Sequence, residues 1–262
     1  MIYSIVLGAT GVLGEELSKK LAEKGENLII SGRKEEKLLL LKNKLEGINP
    51  KIKVEYIACD LTCYSSVNEL KDKLLLLNVK VSGLYYVSGI DTQKEFTSYD
   101  FEKIKNQARV NFESALYLTN FALNNIAENL KIFVVSSMCG LLPMPYFAEY
   151  SATKSALINF FTALRYETDK KKVKITILMP GSIPTRPDII EDIKKQGLTG
   201  KLSAKSPSYV VEKGLKALYK NKLKCIPGFY NKCVAFLNKI TPLKIKTIII
   251  KRKFSKKIKD NF

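Results

Sequence analysis

Short apolar runs recur along the chain at residues 2–7, 27–31, 53–58, 81–87, 131–137 and 173–179. Each is rich in Val and Ile and is bounded by turn-forming or charged residues, which marks strands. The runs are continuously apolar rather than alternating, so these strands are buried on both faces. Between them, residues 12–24, 35–45, 65–77, 101–127 and 150–168 carry apolar positions at helical spacing. Strand and helix in alternation imply βαβ units. The pattern predicts a doubly wound α/β fold, a parallel sheet of about seven strands with helices on both faces. After residue 179 come a Pro/Gly loop at 180–187 and polar sequence to about 207. A helix near 208–221 and a short strand near 223–227 complete the sheet. Without repeats or a low-complexity linker, residues 1–227 read as one domain. Residues 228–262 form a carboxy-terminal extension, packed on it or projecting from it.

Composition narrows the function. The chain of 262 residues is 46% hydrophobic, enough for one large buried core. Its amino terminus, MIYSIVLGATG, reads as a first strand and not as a signal peptide. No apolar run approaches the ~18 residues of a spanning helix. Five scattered cysteines are expected as reduced thiols. Together these predict a cytoplasmic protein, soluble or seated on a membrane surface. There is no histidine, which excludes Ser-His-Asp hydrolysis and the usual zinc chemistry, and no metal site is expected. The net charge of +19 is uneven: residues 194–262 carry 19 basic against 2 acidic (+17), and residues 1–193 carry 25 against 23 (+2).

Candidate chemistry begins at Gly8-Ala9-Thr10-Gly11-Val12-Leu13-Gly14, directly after the first strand and opening a helix. Glycines there permit a tight turn and close approach of a pyrophosphate to free amides at a helix amino terminus. That is the phosphate-binding turn of a Rossmann-like fold. The second strand ends Ile30-Ser31-Gly32-Arg33-Lys34. A carboxylate at this place binds the adenine ribose hydroxyls of NAD. Arg33 and Lys34 suit a 2′-phosphate instead, favouring NADP(H) with NAD(H) still open. An ordinary solvated helix start would read the same way. Asp60 and Leu61 end the third strand, where a side chain can meet the adenine or cap the next helix. In Tyr150-Ser151-Ala152-Thr153-Lys154 the spacing puts phenol and ammonium on one helix face, and the charge is expected to lower the tyrosine pKa. Tyr99/Lys103, Tyr166/Lys170 and Tyr209/Lys213 share that spacing. Only Tyr150 also has a serine, Ser137, 13 residues earlier at a strand end, placed to polarise a carbonyl. Asn111 lies mid-helix, either a satisfied buried amide or part of the site.

In this order and spacing, the glycine turn, Asp60, Asn111, Ser137, Tyr150, Lys154 and the loop Pro180-Gly181-Ser182-Ile183-Pro184-Thr185 resemble the short-chain dehydrogenase/reductase family over residues 1–227. The resemblance implies an NADP(H)-dependent oxidoreductase interconverting a carbonyl and an alcohol. Tyr150 would be general acid/base, Ser137 would orient the carbonyl, and Lys154 would hold the nicotinamide ribose. Asn111 would anchor a relay water. Gly8, Thr10, Gly11, Val12, Leu13, Gly14, Arg33, Lys34, Asp60, Leu61, Ser88, Gly89, Pro180, Gly181, Ile183 and Thr185 would contact the cofactor with Tyr150 and Lys154. Ser137, Met138, Cys139, Met144 and Tyr150 would meet the substrate, expected to be hydrophobic, under a lid at 184–205. Three departures stand out: the glycines are spaced as in the family's longer, extended branch, Leu7 replaces the leading Thr of the turn, and Tyr86-Val87-Ser88-Gly89 replaces Asn-Asn-Ala-Gly. Chain length and the YSATK helix nevertheless point to the short, single-domain branch.

The extension resembles the basic tails of a bacterial DltE-like subgroup. Ile245, Ile248, Ile249 and Phe254 among Lys244, Lys246, Lys251, Arg252, Lys253, Lys256 and Lys257 suit an amphipathic helix on an anionic membrane. A solvated face or a contact with a partner subunit are the alternatives. The family implies a homodimer or homotetramer through the helices at 101–127 and 150–168. Nucleic acid ranks last, since charge alone supports it. Two other functions stay open: a non-catalytic NADP(H)-binding sensor or scaffold, and a membrane-surface protein acting through its tail.

Overall fold

The computed structural model describes residues 1–255 and 259–260. Strands are β1 (Ile2–Leu7), β2 (Leu28–Gly32), β3 (Val54–Ala58), β4 (Lys80–Tyr86), β5 (Thr92–Gln93), β6 (Ile126–Val135), β7 (Val173–Leu178), β8 (Lys224–Cys225) and β9 (Lys259–Asp260). Seven of them form one parallel sheet in the order β3-β2-β1-β4-β6-β7-β8, while β5 pairs antiparallel with β9. The order reverses between β1 and β4, and that crevice at the carboxyl ends of the strands is where such folds bind ligands.

Helices are α1 (Val12–Glu23), α2 (Glu35–Ile48), α3 (Tyr64–Leu76), α4 (Phe101–Ala108), α5 (Ser114–Asn124) and α6 (Ala148–Glu167). They continue as α7 (Pro187–Lys195), α8 (Gly197–Ser203), α9 (Pro207–Tyr219), α10 (Phe229–Ile240) and α11 (Leu243–Phe254). Alternate strand residues feed two cores. Ile5 and Leu7 point to the side covered by Leu70 and Leu74 of α3, Leu118 of α5 and Leu157 and Phe161 of α6. Val6 points to the other side, covered by Leu17 and Leu21 of α1, Leu38 and Leu45 of α2 and Leu215 and Leu218 of α9. Each such side chain contributes about 1.5–3 kcal/mol by leaving water.

Three local differences from the sequence pattern matter for the site. The helix expected at 101–127 is interrupted by a π-helical turn, Arg109–Glu113, and ends at Asn124. Its last residues instead begin β6, where the register with β4 slips between Val81–Ile126 and Gly83–Lys131. The loop after β7 runs to Arg186 as expected, but the polar stretch beyond it is helical: Pro187 starts α7 with its fixed φ, and Gly197 at φ 58° opens α8. The extension forms α10 and α11, which rest on the domain, and Lys256 and Lys257 lie outside the described residues.

Candidate active site

The turn after β1 is shaped by backbone crowding. A Cβ on Gly8 would stand 2.6 Å from Ser88 Oγ, and one on Gly14 would stand 2.1 Å from the Gly8 carbonyl. Gly8 also has φ 83°, a conformation that disfavours any side chain. These constraints open a cleft of about 370 Å³ lined by Gly8, Thr10, Gly11, Arg33, Lys34, Lys37, Asp60, Leu61, Ser88 and Gly89, among others. The cradle at the amino end of α1, with exposed cations at the end of β2, fits a dinucleotide. Lys37 had no role in the sequence reading, although it lies four residues after Arg33 in the first turn of α2. Asp60 does not cap α3, whose N-cap Cys63 has no side-chain cap bond; its Oδ1 accepts from the Thr62 amide at 2.9 Å and the Thr62 hydroxyl at 2.8 Å in a local Asx turn.

Several predicted cofactor residues lie outside the lining of this cleft. Val12 and Leu13 start α1, and Gly14 serves the packing of α1 on the turn. Pro180 accepts from the Met138 amide at 3.0 Å, tying the ends of β6 and β7 together. A Cβ on Gly181 would meet Asn231 Nδ2 and Ser203 Oγ, each at 2.8 Å, so that glycine lets α8 and α10 approach. Ile183 is buried in the second core, and the Thr185 amide bonds back to Ile183 O at 2.8 Å.

Ser137, Tyr150 and Lys154 converge beside the cleft. Ser137 Oγ accepts from the Cys139 amide at 3.1 Å, which leaves its own proton to donate. Lys154 is buried, and its Nζ donates to the Val135 carbonyl at 3.0 Å. Ser136 Oγ donates to the Lys154 carbonyl at 2.8 Å, fixing α6 against the end of β6. Lys154 Nζ lies 5.7 Å from the Tyr150 ring centroid. Asn111, within the π-helical turn, accepts from the Ile90 amide at 2.8 Å and donates to the Ile90 carbonyl at 2.9 Å and to Thr153 Oγ1 at 3.1 Å. Its side chain thus joins the loop after β4 to α6. Gly89 lies between them, a Cβ there standing 2.9 Å from Lys154 Nζ. Tyr86, in place of the family's Asn, donates to the Val110 carbonyl at 2.6 Å and steadies the same turn.

The electrostatics correct one expectation. Tyr150 is half-buried, but its phenol sits in an interior setting, and its pKa is raised rather than lowered. Burial is the main cause, with Cys139 and Asp91 adding to it, while the Ser137 hydroxyl and Arg186 pull the other way. The lysine charge is not among the causes of the shift, and desolvation outweighs the groups that favour the phenolate. Lys154 itself is pushed down to about 8 by burial, with Asp91 and Cys139 opposing. Burial likewise raises the Cys139 thiol.

Two neighbours of Tyr150 had no signal in the sequence. Asp91 follows the loop after β4, and Arg186 precedes α7, 95 positions later. Arg186 grips Asp91 with two nitrogens at 3.0 and 3.3 Å and also reaches Asp188 at 3.2 Å. The pair bridges the cleft side and the 187–203 helices. Met144 lies away from the glycine-cradled cleft. It lines a separate apolar cavity of about 510 Å³ with Leu141, Leu142, Ser151, Ala152 and Thr247, and Ser151 and Ala152 lie on a different face of α6 from Tyr150 and Lys154. Met138 and Cys139 stay in the turn directly after Ser137.

A family model described as short chain dehydrogenase matches residues 3–194. The chain belongs to the short chain dehydrogenase family. A 7beta-hydroxysteroid dehydrogenase from Mediterraneibacter gnavus is 26% identical over 239 residues, covering 88% of this chain and 87% of that protein. A very-long-chain 3-oxoacyl-CoA reductase from Candida glabrata is 28% identical over 202 residues, 68% of this chain and 55% of that protein. The chain spans little more than half the length of several such longer relatives. In fold it is similar to a chain solved in work on 7beta-hydroxysteroid dehydrogenase stereoselectivity, with a TM-score of 0.82 at 22% identity, covering 94% of this chain and 95% of that one.

Proposed function

We propose that this family member is an NADP(H)-dependent oxidoreductase that interconverts a hydrophobic carbonyl compound and its alcohol, with Tyr150 as general acid. The convergence of Ser137, Tyr150 and Lys154 beside the glycine-cradled cleft carries this reading. A dinucleotide held in that cleft would supply the hydride for the carbonyl carbon. Ser137, its oxygen already accepting from Cys139, donates to the carbonyl oxygen and polarises it. Tyr150 delivers the proton to that oxygen, and the raised pKa of its phenol keeps it protonated at neutral pH. Lys154, whose Nζ bonds the Val135 carbonyl and lies beside Gly89 of the cleft lining, would hold the nicotinamide ribose. Arg33, Lys34 and Lys37 favour the phosphorylated dinucleotide.

NADPH oxidation against a panel of hydrophobic ketones and aldehydes tests this. Tyr150→Phe is expected to lose roughly 10²–10⁴-fold in kcat while still binding NADPH, and turnover at the wild-type level would overturn the assignment. Arg33→Ala should raise the KM for NADPH and leave that for NADH unchanged. The dimer or tetramer and the DltE-like subgroup rest on the family resemblance and on the basic extension. Contact of that extension with an anionic membrane is favoured by the outward Ile245, Ile248 and Ile249, whereas Phe254 turns inward, edge-on to Phe147 at 5.4 Å.

A further inference from the structure

Helix α10 is docked the wrong way round for a surface helix. A surface helix normally hides its apolar stripe and shows its polar face to water. On α10 the face against the domain carries Asn231, Ala235 and Asn238, spaced i, i+4, i+7. Asn231 Nδ2 donates to the carbonyls of Ser203 and Pro227 at 3.0 and 2.8 Å, and Asn238 Nδ2 donates to the Leu141 carbonyl at 2.9 Å. The opposite stripe, Phe229, Cys233, Phe236, Leu237 and Ile240, is spaced i, i+4, i+7, i+8, i+11. Phe229, Phe236, Leu237 and Ile240 are 82%, 62%, 55% and 64% exposed. On helix α11 the exposed Ile245, Ile248 and Ile249 fall on one side, and Leu243 is exposed at the helix start on the other. Thr247 and Phe254 face the domain, and Lys246 bonds the Asn238 carbonyl at 3.0 Å.

We propose that the outer faces of α10 and α11 together form a docking surface for an anionic phospholipid bilayer, with α10, rather than the tail alone, supplying its apolar centre. Charge selects this occupant. No acidic residue occurs from 213 to 259, and the two helices carry Lys232, Lys239, Lys244, Lys246, Lys251, Arg252 and Lys253. A second copy of the chain would bring the same charges against these and be repelled. A nucleic acid would satisfy the lysines and leave eight apolar side chains in water. An anionic bilayer takes both, Phe and Ile at the acyl boundary and lysines on the headgroup phosphates. Each helix has 12 residues, about 18 Å, too short to span and suited to lying in the interface. Through Thr247, α11 also walls the apolar cavity beside the loop that follows Ser137. On the oxidoreductase reading, the enzyme would then draw carbonyl substrates from those that partition into the membrane.

The chain contains no tryptophan, so a Phe236→Trp variant places a single indole at the centre of the stripe. The full chain is mixed with vesicles of phosphatidylcholine, with or without phosphatidylglycerol. Sedimentation and a blue shift of the indole emission are expected with phosphatidylglycerol only, weakening as salt rises. The double variant Phe236→Glu/Ile240→Glu should bind these vesicles at least about tenfold more weakly. Its thermal midpoint and NADPH affinity should stay at wild type, because both side chains are exposed. No emission shift, or full vesicle binding by the double variant, would overturn the proposal. So would a lipid-free dimer that the double variant converts to monomer, since a second copy would then own the surface. Turnover of a water-soluble ketone, measured alongside, reports on the oxidoreductase reading separately.

Discussion

Replacing Lys154 by Met should make the protein more stable while removing its activity. Lys154 is 3% exposed, and burial lowers its pKa from 10.5 to about 8. At 1.36 kcal/mol per pH unit, the folded state disfavours the charged lysine by about 3 kcal/mol relative to the unfolded chain. Methionine occupies a similar volume without a charge. Its cost is the bond from Nζ to the Val135 carbonyl, about 1 kcal/mol, leaving a net gain of about 2 kcal/mol near neutral pH. The sign with pH follows from proton counting. Between about 8 and 10.5 the unfolded chain holds a proton that the folded chain has lost, so this residue makes wild-type stability rise with pH across that window. Below it both states are protonated and the full penalty applies; above it both are neutral and the penalty vanishes. The advantage of Lys154→Met should therefore be full at about pH 7 and shrink toward pH 10. Urea unfolding of both proteins without nucleotide, followed by circular dichroism at the two pH values, measures the difference. Other titrating groups are common to both proteins and cancel. A variant no more stable than wild type at neutral pH, or a difference that does not change with pH, would refute the reasoning.

Asp91→Asn and Arg186→Gln should move the pH profile of kcat/KM in opposite directions. Asp91 raises the Tyr150 pKa and Arg186 lowers it, after the larger effect of burial, so the first substitution shifts the phenol's limb to lower pH and the second to higher. Shifts of the same sign would show that the pair acts through the position of α7 and not through its charges. Gly14→Ala pushes a methyl to within 2.1 Å of the Gly8 carbonyl. It should cost about 1–3 kcal/mol in thermal or urea unfolding and weaken NADPH binding, as read by nucleotide fluorescence.

The strands and the order of elements were legible because a parallel sheet covered on both faces needs uninterrupted apolar runs, as at Leu28–Gly32 and Val173–Leu178. Ser137, Tyr150 and Lys154 were legible because one strand end and one helix turn carry all three. What the sequence concealed depends on contacts between distant positions. Asp91 and Arg186 meet across 95 residues, and nothing near either one indicates the other. Helices α7 and α8 showed only as polar sequence because their short segments mix polar residues with Gly197 and Gly200. For α10, spacing shows an amphipathic helix but not which face meets the domain. Asn231 and Asn238 decide that by finding carbonyls to bond. The Tyr150 pKa was misread because burial has no local sequence signature.

The π-helical turn at Arg109–Glu113 has an evolutionary consequence. A π turn is what remains when one residue is inserted into an α-helix without breaking it. Removing a residue from this turn would restore regular α bonding but rotate one flank by about 100° against the other. Asn111 would then swing away from Ile90 and Thr153, or α5 would lose Leu118 and Phe121 from the core. Insertions and deletions should therefore be excluded at residues 109–113, while the surface between α7 and α8, where a Cβ on Gly197 meets nothing within 4 Å, is free to change length.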